Sequence, residues 1–295
     1  MLVCASAIWG LTFAFQRLGA QYVGPMTFNA VRFVLAALFV CGLIAVLDRR
    51  RGLSRERRRA ATRKALVPGL ICGVILATAG GLQQAGMTEV TAGDAAFITG
   101  LYMVLVPLAG GLMGNRVEWP VAVGVVPAVI GLYLICVPEK GLTITGGTWL
   151  VLASSIFWAA QILFIDRYAK NVSALRFAAS QFAGCAAVSA IFSPLFDEHP
   201  FSGIEQAVVP LLFGGFMAGG VAFTLQVVAQ REALAAHAAL IMALESVFGA
   251  IGGALLLGEN MGTRGYIGAA LMVAGIVISQ QHRRTKSAAP TAEGG

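Results

Sequence analysis

Apolar residues fall into ten long runs, each separated from the next by a short polar or turn-forming segment. The runs lie at about 2–20, 26–47, 66–86, 91–112, 119–137, 147–166, 174–193, 207–228, 233–257 and 263–281. A helix that crosses a bilayer needs about 20 predominantly apolar residues, and every run is close to that length. The breaks carry turn chemistry: Gly24-Pro25, Gly114-Asn115-Arg116, Pro138-Glu139-Lys140-Gly141 and Asp197-Glu198-His199-Pro200. The pattern predicts an all-α integral membrane protein with ten transmembrane helices. From His282 the chain becomes polar, with Pro, Ala and Gly, and residues 282–295 are expected to form a disordered tail.

A second pattern is superimposed on the first. With an offset of 142–149 residues, Ala7-Ile8-Trp9-Gly10 lies over Ile156-Phe157-Trp158-Ala159, and Phe28 and Phe33 lie over Phe177 and Phe182. Pro68 matches Pro210, Gln84 matches Gln226 and Ala95 matches Ala239. Gly114-Asn115 matches Gly258-Glu259, and Gly124 and Gly131 match Gly268 and Gly275. The matches are collinear, so the chain divides into two five-helix units, 1–146 and 147–281. Five is odd, so the second unit must enter the membrane from the opposite side. Inverted repeats of this kind recur in secondary transporters, with the substrate near the bilayer midplane between the halves.

Composition removes the soluble alternatives. Apolar residues make up 58% and charged residues only 12%, against about 25% charged in a soluble domain. The net charge of +7 does not point to nucleic acid, because nine of the 21 Lys and Arg lie between Asp48 and Lys64, beside an apolar run. Such a segment suits a cytoplasmic loop at an anionic leaflet. Placing it inside puts both termini inside, together with Arg116, Arg167, Lys170, Arg231, Arg283, Arg284 and Lys286. The expected topology is therefore N-in and C-in. The first run lacks a basic leader and an A-x-A site, so it reads as a retained helix. The five cysteines (Cys4, Cys41, Cys72, Cys136, Cys185) lie inside apolar runs without metal-ligand spacing, which predicts no zinc site, disulfide framework or other cofactor.

The residues Ala238-Ala239-Leu240-Ile241-Met242-Ala243-Leu244-Glu245-Ser246 and Leu256-Leu257-Gly258-Glu259 carry a family resemblance. So do Gly268 and Gly275 in the last helix and the Trp in helices 1 and 6. The chain resembles the EamA-type branch of the drug/metabolite transporter superfamily, most closely its bacterial amino-acid exporters. That resemblance implies two inverted five-helix bundles, alternating access, and a central cavity lined mainly by helices 1, 3, 4, 6, 8 and 9. Two positions depart from the family pattern. Ser246 stands where a Pro usually follows the helix-9 Glu, and Gly114-Asn115-Arg116 stands where Gly-Glu is frequent.

Ionisable groups at membrane depth are costly and usually face protein or a water-filled cavity. Glu245 lies in the middle of its run, and His237, eight residues earlier, falls near the same face. Glu245 reads either as a coupling or substrate-orienting carboxylate or as a structural one. Asp94, Ile98 and Tyr102 share a face of helix 4. Asp94 suits either the helix N-terminus or the cavity mouth, and Tyr102 suits the cavity wall. Arg32 could counter an acid such as Asp94, snorkel to the interface, or make a structural bond. Trp9, Phe13 and Gln16 in helix 1, with Trp158 and Gln161 in helix 6, read as an aromatic wall for organic substrates or as core packing. Gln83, Gln84 and Gln226 would meet polar groups of a substrate or bond helices together.

The expected binding set is Trp9, Phe13, Gln84, Tyr102, Trp158, Gln161, Gln226 and His237. Glu245, Asp94 and Arg32 are expected in coupling or structural roles. Soluble-enzyme motifs are absent: no GxxxxGK[ST], HExxH or GxSxG occurs. The expected function is export of amino acids or related small metabolites across a bacterial cytoplasmic (inner) membrane, by a monomer or homodimer. Efflux of cationic drugs is the alternative cargo, and a passive channel is the alternative mechanism.

Overall fold

The computed structural model describes residues 1–114, 117–137, 139, 141–142, 144–257 and 262–287. Ten membrane-spanning helices follow one another: α1 (Leu2–Gly19), α2 (Pro25–Arg50), α3 (Arg55–Gly86), α4 (Ala92–Leu112), α5 (Trp119–Cys136), α6 (Gly146–Tyr168), α7 (Ala174–Phe196), α8 (Val208–Gln230), α9 (Ala235–Leu257) and α10 (Gly262–Ser287). The described residues contain no strand.

The outer surface is apolar where a soluble protein would be charged. Leu112 is 92% exposed, Leu195 72% and Leu38 64%, while Ser154, Gln161 and Gln181 are fully buried. This inside-out distribution is what a hydrocarbon solvent selects, because each polar group must find its partner within the protein. The chain is a multi-pass membrane protein.

Local chemistry moves several boundaries. α3 begins at Arg55, eleven residues before its apolar run, because the Ser54 hydroxyl accepts the Arg57 N–H and Glu56 sits in the first turn. Most of the basic segment is therefore helical. α10 runs through Ser287, so helix continues six residues into the stretch expected to be a disordered tail. Arg116, Lys140 and the Gly258-Glu259 pair lie outside the described residues, as do 288–295.

Three spans are not continuous α-helix. α4 breaks at Leu101 into Ala92–Gly100 and Tyr102–Leu112, and α9 breaks after Met242, resuming at Glu245. At both breaks the hydrogen bonds tighten to i→i−3, Leu101 N–H to the Ile98 carbonyl and Leu244 N–H to the Ile241 carbonyl, each at 3.2 Å. α8 passes through an eleven-residue π-helix, Phe213–Phe223, whose glycines pack on α2. A Cβ on Gly215 would meet the Leu35 side chain, and one on Gly219 would meet Ala36.

Small residues likewise let α5 and α10 pack backbone to backbone. A Cβ on Gly124 would strike the Gly275 carbonyl, and one on Gly131 the Gly268 carbonyl. α2, α3 and α7 meet around Phe33, Phe177 and Phe182, all fully buried. The Phe33 and Phe182 rings stack at 5.8 Å.

Candidate functional site: a central cavity shared by both halves

The cavity measures about 550 Å³ with the open space at its mouth included. α1 supplies Trp9, Thr12, Phe13 and Gln16, α3 supplies Gln83, and α4 supplies Thr99 and Tyr102. From the second half come Trp158, Gln161 and Ile162 of α6, Ala218, Phe223 and Gln226 of α8, and Met242 and Glu245 of α9. These six helices are those the family resemblance implied. Arg32 adds a seventh, α2.

The aromatic wall is built around a residue the sequence did not mark. Phe223 stacks on Trp158, with ring centroids 5.8 Å apart and 17° between planes, and takes the edge of Trp9 at 4.8 Å. Trp158 is also fixed by its polar end, its indole N–H donating to Gln83 Oε1 at 2.6 Å. The Trp9 indole N–H reaches toward the Ala218 carbonyl at 3.4 Å. That carbonyl lies in the π-helix, so the wide turn of α8 places both Ala218 and Phe223 against the two tryptophans.

The amides pair with one another. Gln161 and Gln226 each donate to the other's carbonyl oxygen, at 3.3 and 3.1 Å. Gln83 and Gln16 meet at 3.5 Å, the outer limit of a hydrogen bond. Thr99 is buried, and its hydroxyl has no hydrogen-bond partner among the described residues.

Two charged side chains reach the cavity. Tyr102 Oη donates to Glu245 Oε1 at 3.1 Å, so the residues that resume α4 and α9 after their breaks bond to each other. Glu245 sits in the first turn of its segment, where the helix dipole favours negative charge. Arg32 donates from Nε and Nη2 to Asn29 Oδ1, at 2.9 and 2.6 Å. Its guanidinium lies 4.8 Å from the Phe33 ring centre and 5.4 Å from that of Phe28. Such cation–π contacts are worth about 0.5–2 kcal/mol each. Arg32 is only 3% exposed, so it does not snorkel to the interface, and among the described residues neither Asp94 nor any other acid pairs with it.

Three expected site residues lie elsewhere. Gln84 Nε2 donates to the Gln16 carbonyl at 3.0 Å and joins α3 to α1. Its neighbour Gln83 faces the cavity instead, one residue (about 100°) round the helix. His237 Nε2 lies 2.9 Å from the Ser279 carbonyl and 3.7 Å from Glu118, between α9, α10 and the start of α5. The break in α9 lies between His237 and Glu245 and resets the helical phase, which parts two residues that a continuous helix would align. Asp94 is buried in the first turn of α4, where the Thr91 hydroxyl caps its N–H at 3.0 Å, and it does not line the cavity.

Comparison with known proteins supplies the identity. The model of the EamA-like transporter family matches twice, over residues 1–137 and 145–280. The chain belongs to the EamA-like transporter family. An uncharacterized transporter of Archaeoglobus fulgidus is 28% identical over 278 residues, covering 94% of this chain and 83% of the relative. The uncharacterized transporter YoaV of Bacillus subtilis is 21% identical, covering 94% of each. A solved crystal structure superposes with a TM-score of 0.77 over 97% of the chain and 98% of its own length, at 17% identity, which speaks to the fold alone. The protein is thus a membrane transporter rather than an enzyme, and its substrate is a small molecule.

Proposed function

We propose that the transporter is a secondary exporter of amino acids or related small metabolites, working by alternating access in a bacterial cytoplasmic membrane as a monomer or homodimer. The observation that carries this reading is the cavity: both halves contribute to it, and aromatic faces and neutral amides dominate its wall. Such a lining takes up apolar side chains by stacking and satisfies polar ends by hydrogen bonds.

Inverted topology with both termini inside belongs to the same reading. It is supported by contacts that the aligned positions of the two halves exchange reciprocally. Gly124 packs on Gly275 and Gly131 on Gly268, while Gly124 and Gly131 are themselves aligned with Gly268 and Gly275. The breaks in α4 and α9 fall within two residues of aligned positions. Broken helices at the midplane are where many transporters bind substrate.

Counterflow in liposomes, with a panel of amino acids and a panel of organic cations, separates the cargo classes. Amino acids are expected to exchange. Uptake of cations alone, lost in Glu245→Gln, favours the drug-efflux alternative, for which the cavity carboxylate is the supporting feature.

A further inference from the structure

Arg32 and Glu245 bring a base and an acid to one cavity, and among the described residues neither is paired with an opposite charge. Arg32 spends two nitrogens on one neutral amide oxygen, and its Nη1 makes no hydrogen bond there. Among the described residues the Glu245 carboxyl is hydrogen-bonded only to a phenol. A buried charge without a counter-charge is costly, and at membrane depth it marks function by default.

Packing does not require either charge. The offset that aligns Phe28 and Phe33 with Phe177 and Phe182 sets Arg32 against Gln181. Gln181 is fully buried, and its backbone carbonyl faces Gly73 as the Arg32 carbonyl faces Gly215. The offset that aligns Ala95 with Ala239 sets Glu245 against Leu101. Each charge therefore stands where the other half makes the same fold with a neutral residue. Space is also kept for the guanidinium, since a Cβ on Gly80 would lie 2.9 Å from Arg32 Nη2 and from the Asn29 amide.

We infer that Arg32 and Glu245 are the two poles of a zwitterion site, Arg32 receiving a carboxylate and Glu245 an ammonium group. This rests on the amino-acid transport reading and sharpens it. The planar guanidinium matches a carboxylate. A ligand with one charge leaves the opposite pole unpaired and is repelled by it, so selectivity arises as much from rejection as from attraction.

The test measures binding of three ligands of similar shape to the detergent-solubilised full chain by calorimetry: L-phenylalanine, phenethylamine and 3-phenylpropionate. The wild type is expected to bind L-phenylalanine about tenfold or more tighter than either analogue, the scale of one charged hydrogen bond. Arg32→Gln should weaken phenylalanine and phenylpropionate by about that factor, leaving phenethylamine nearly unchanged. Glu245→Gln should weaken phenylalanine and phenethylamine and spare phenylpropionate. Arg32→Lys and Glu245→Asp, which keep the charges, should restore the wild-type order.

Equal loss for all three ligands in both Gln variants, as simple structural damage would produce, overturns the inference. So does a wild type that exchanges amino acids in liposomes but binds the three ligands equally. Absence of any amino-acid exchange would instead remove the transport reading on which the site depends.

Discussion

Trp158 is held at both ends, its ring against Phe223 and its N–H on Gln83. Trp158→Ala removes the aromatic face that Trp158 presents to the cavity, a contact with an aromatic substrate worth on the order of 1.5 kcal/mol. An aromatic amino acid should then show an apparent affinity lower by about tenfold or more in counterflow; unchanged affinity would show that Trp158 only packs the core. The tryptophans, Phe13, Tyr102, Gln161, Gln226, Arg32 and Glu245 were all legible as candidates because polar or aromatic groups are conspicuous in apolar runs. Phe223 was not, since it is one Phe among 17 and, unlike Phe13, has no Trp four residues away to mark its face. Choosing Gln83 over Gln84 needs the rotation of α3, which its neighbours set and its own apolar pattern does not.

The ends of α2 and α7 are tied by two aspartates at aligned positions, 149 residues apart. At the expected cytoplasmic end, Asp48 receives Arg176 at 2.6 Å. At the other end, Asp197 accepts the backbone N–H groups of Met26 and Thr27, at 3.0 and 2.6 Å, and the hydroxyls of Thr27 and Ser193. One tie is thus an ion pair and the other a helix N-cap made by a neighbouring helix. Asp48→Ala strands a nearly buried cation and should cost about 3–5 kcal/mol. Asp197→Ala removes a cap and should cost about 0.5–2 kcal/mol. Thermal unfolding in detergent reads both, and a larger loss for Asp197→Ala would reverse this ranking.

At this scale the spans could be read from sequence because bilayer thickness fixes their length. The breaks and the π-helix could not be read. They change hydrogen-bond register without changing hydrophobicity, and Ser246 removes the proline that would have flagged the break in α9. That hidden break is why His237 and Glu245 looked like one face.

For the whole molecule, the loop charges and the odd helix count predict both termini on the cytoplasmic side. Fluorescent-protein fusions, which mature only in the cytoplasm, should therefore glow at the C-terminus and stay dark in the turn between α7 and α8. The reverse pattern would invert the proposed direction of transport. Composition could announce a membrane protein and the repeat could announce two halves, but how those halves close on one cavity required the helix packing.

Alternating access at that shared cavity is tested most directly by counterflow kinetics of a labelled amino acid in proteoliposomes. The predicted result is uptake that saturates with concentration and accelerates when unlabelled substrate is loaded inside, both lost together in the Trp9→Ala, Trp158→Ala double variant. Flux that rises linearly with concentration and ignores internal substrate would contradict it, and would identify the cavity as part of a channel.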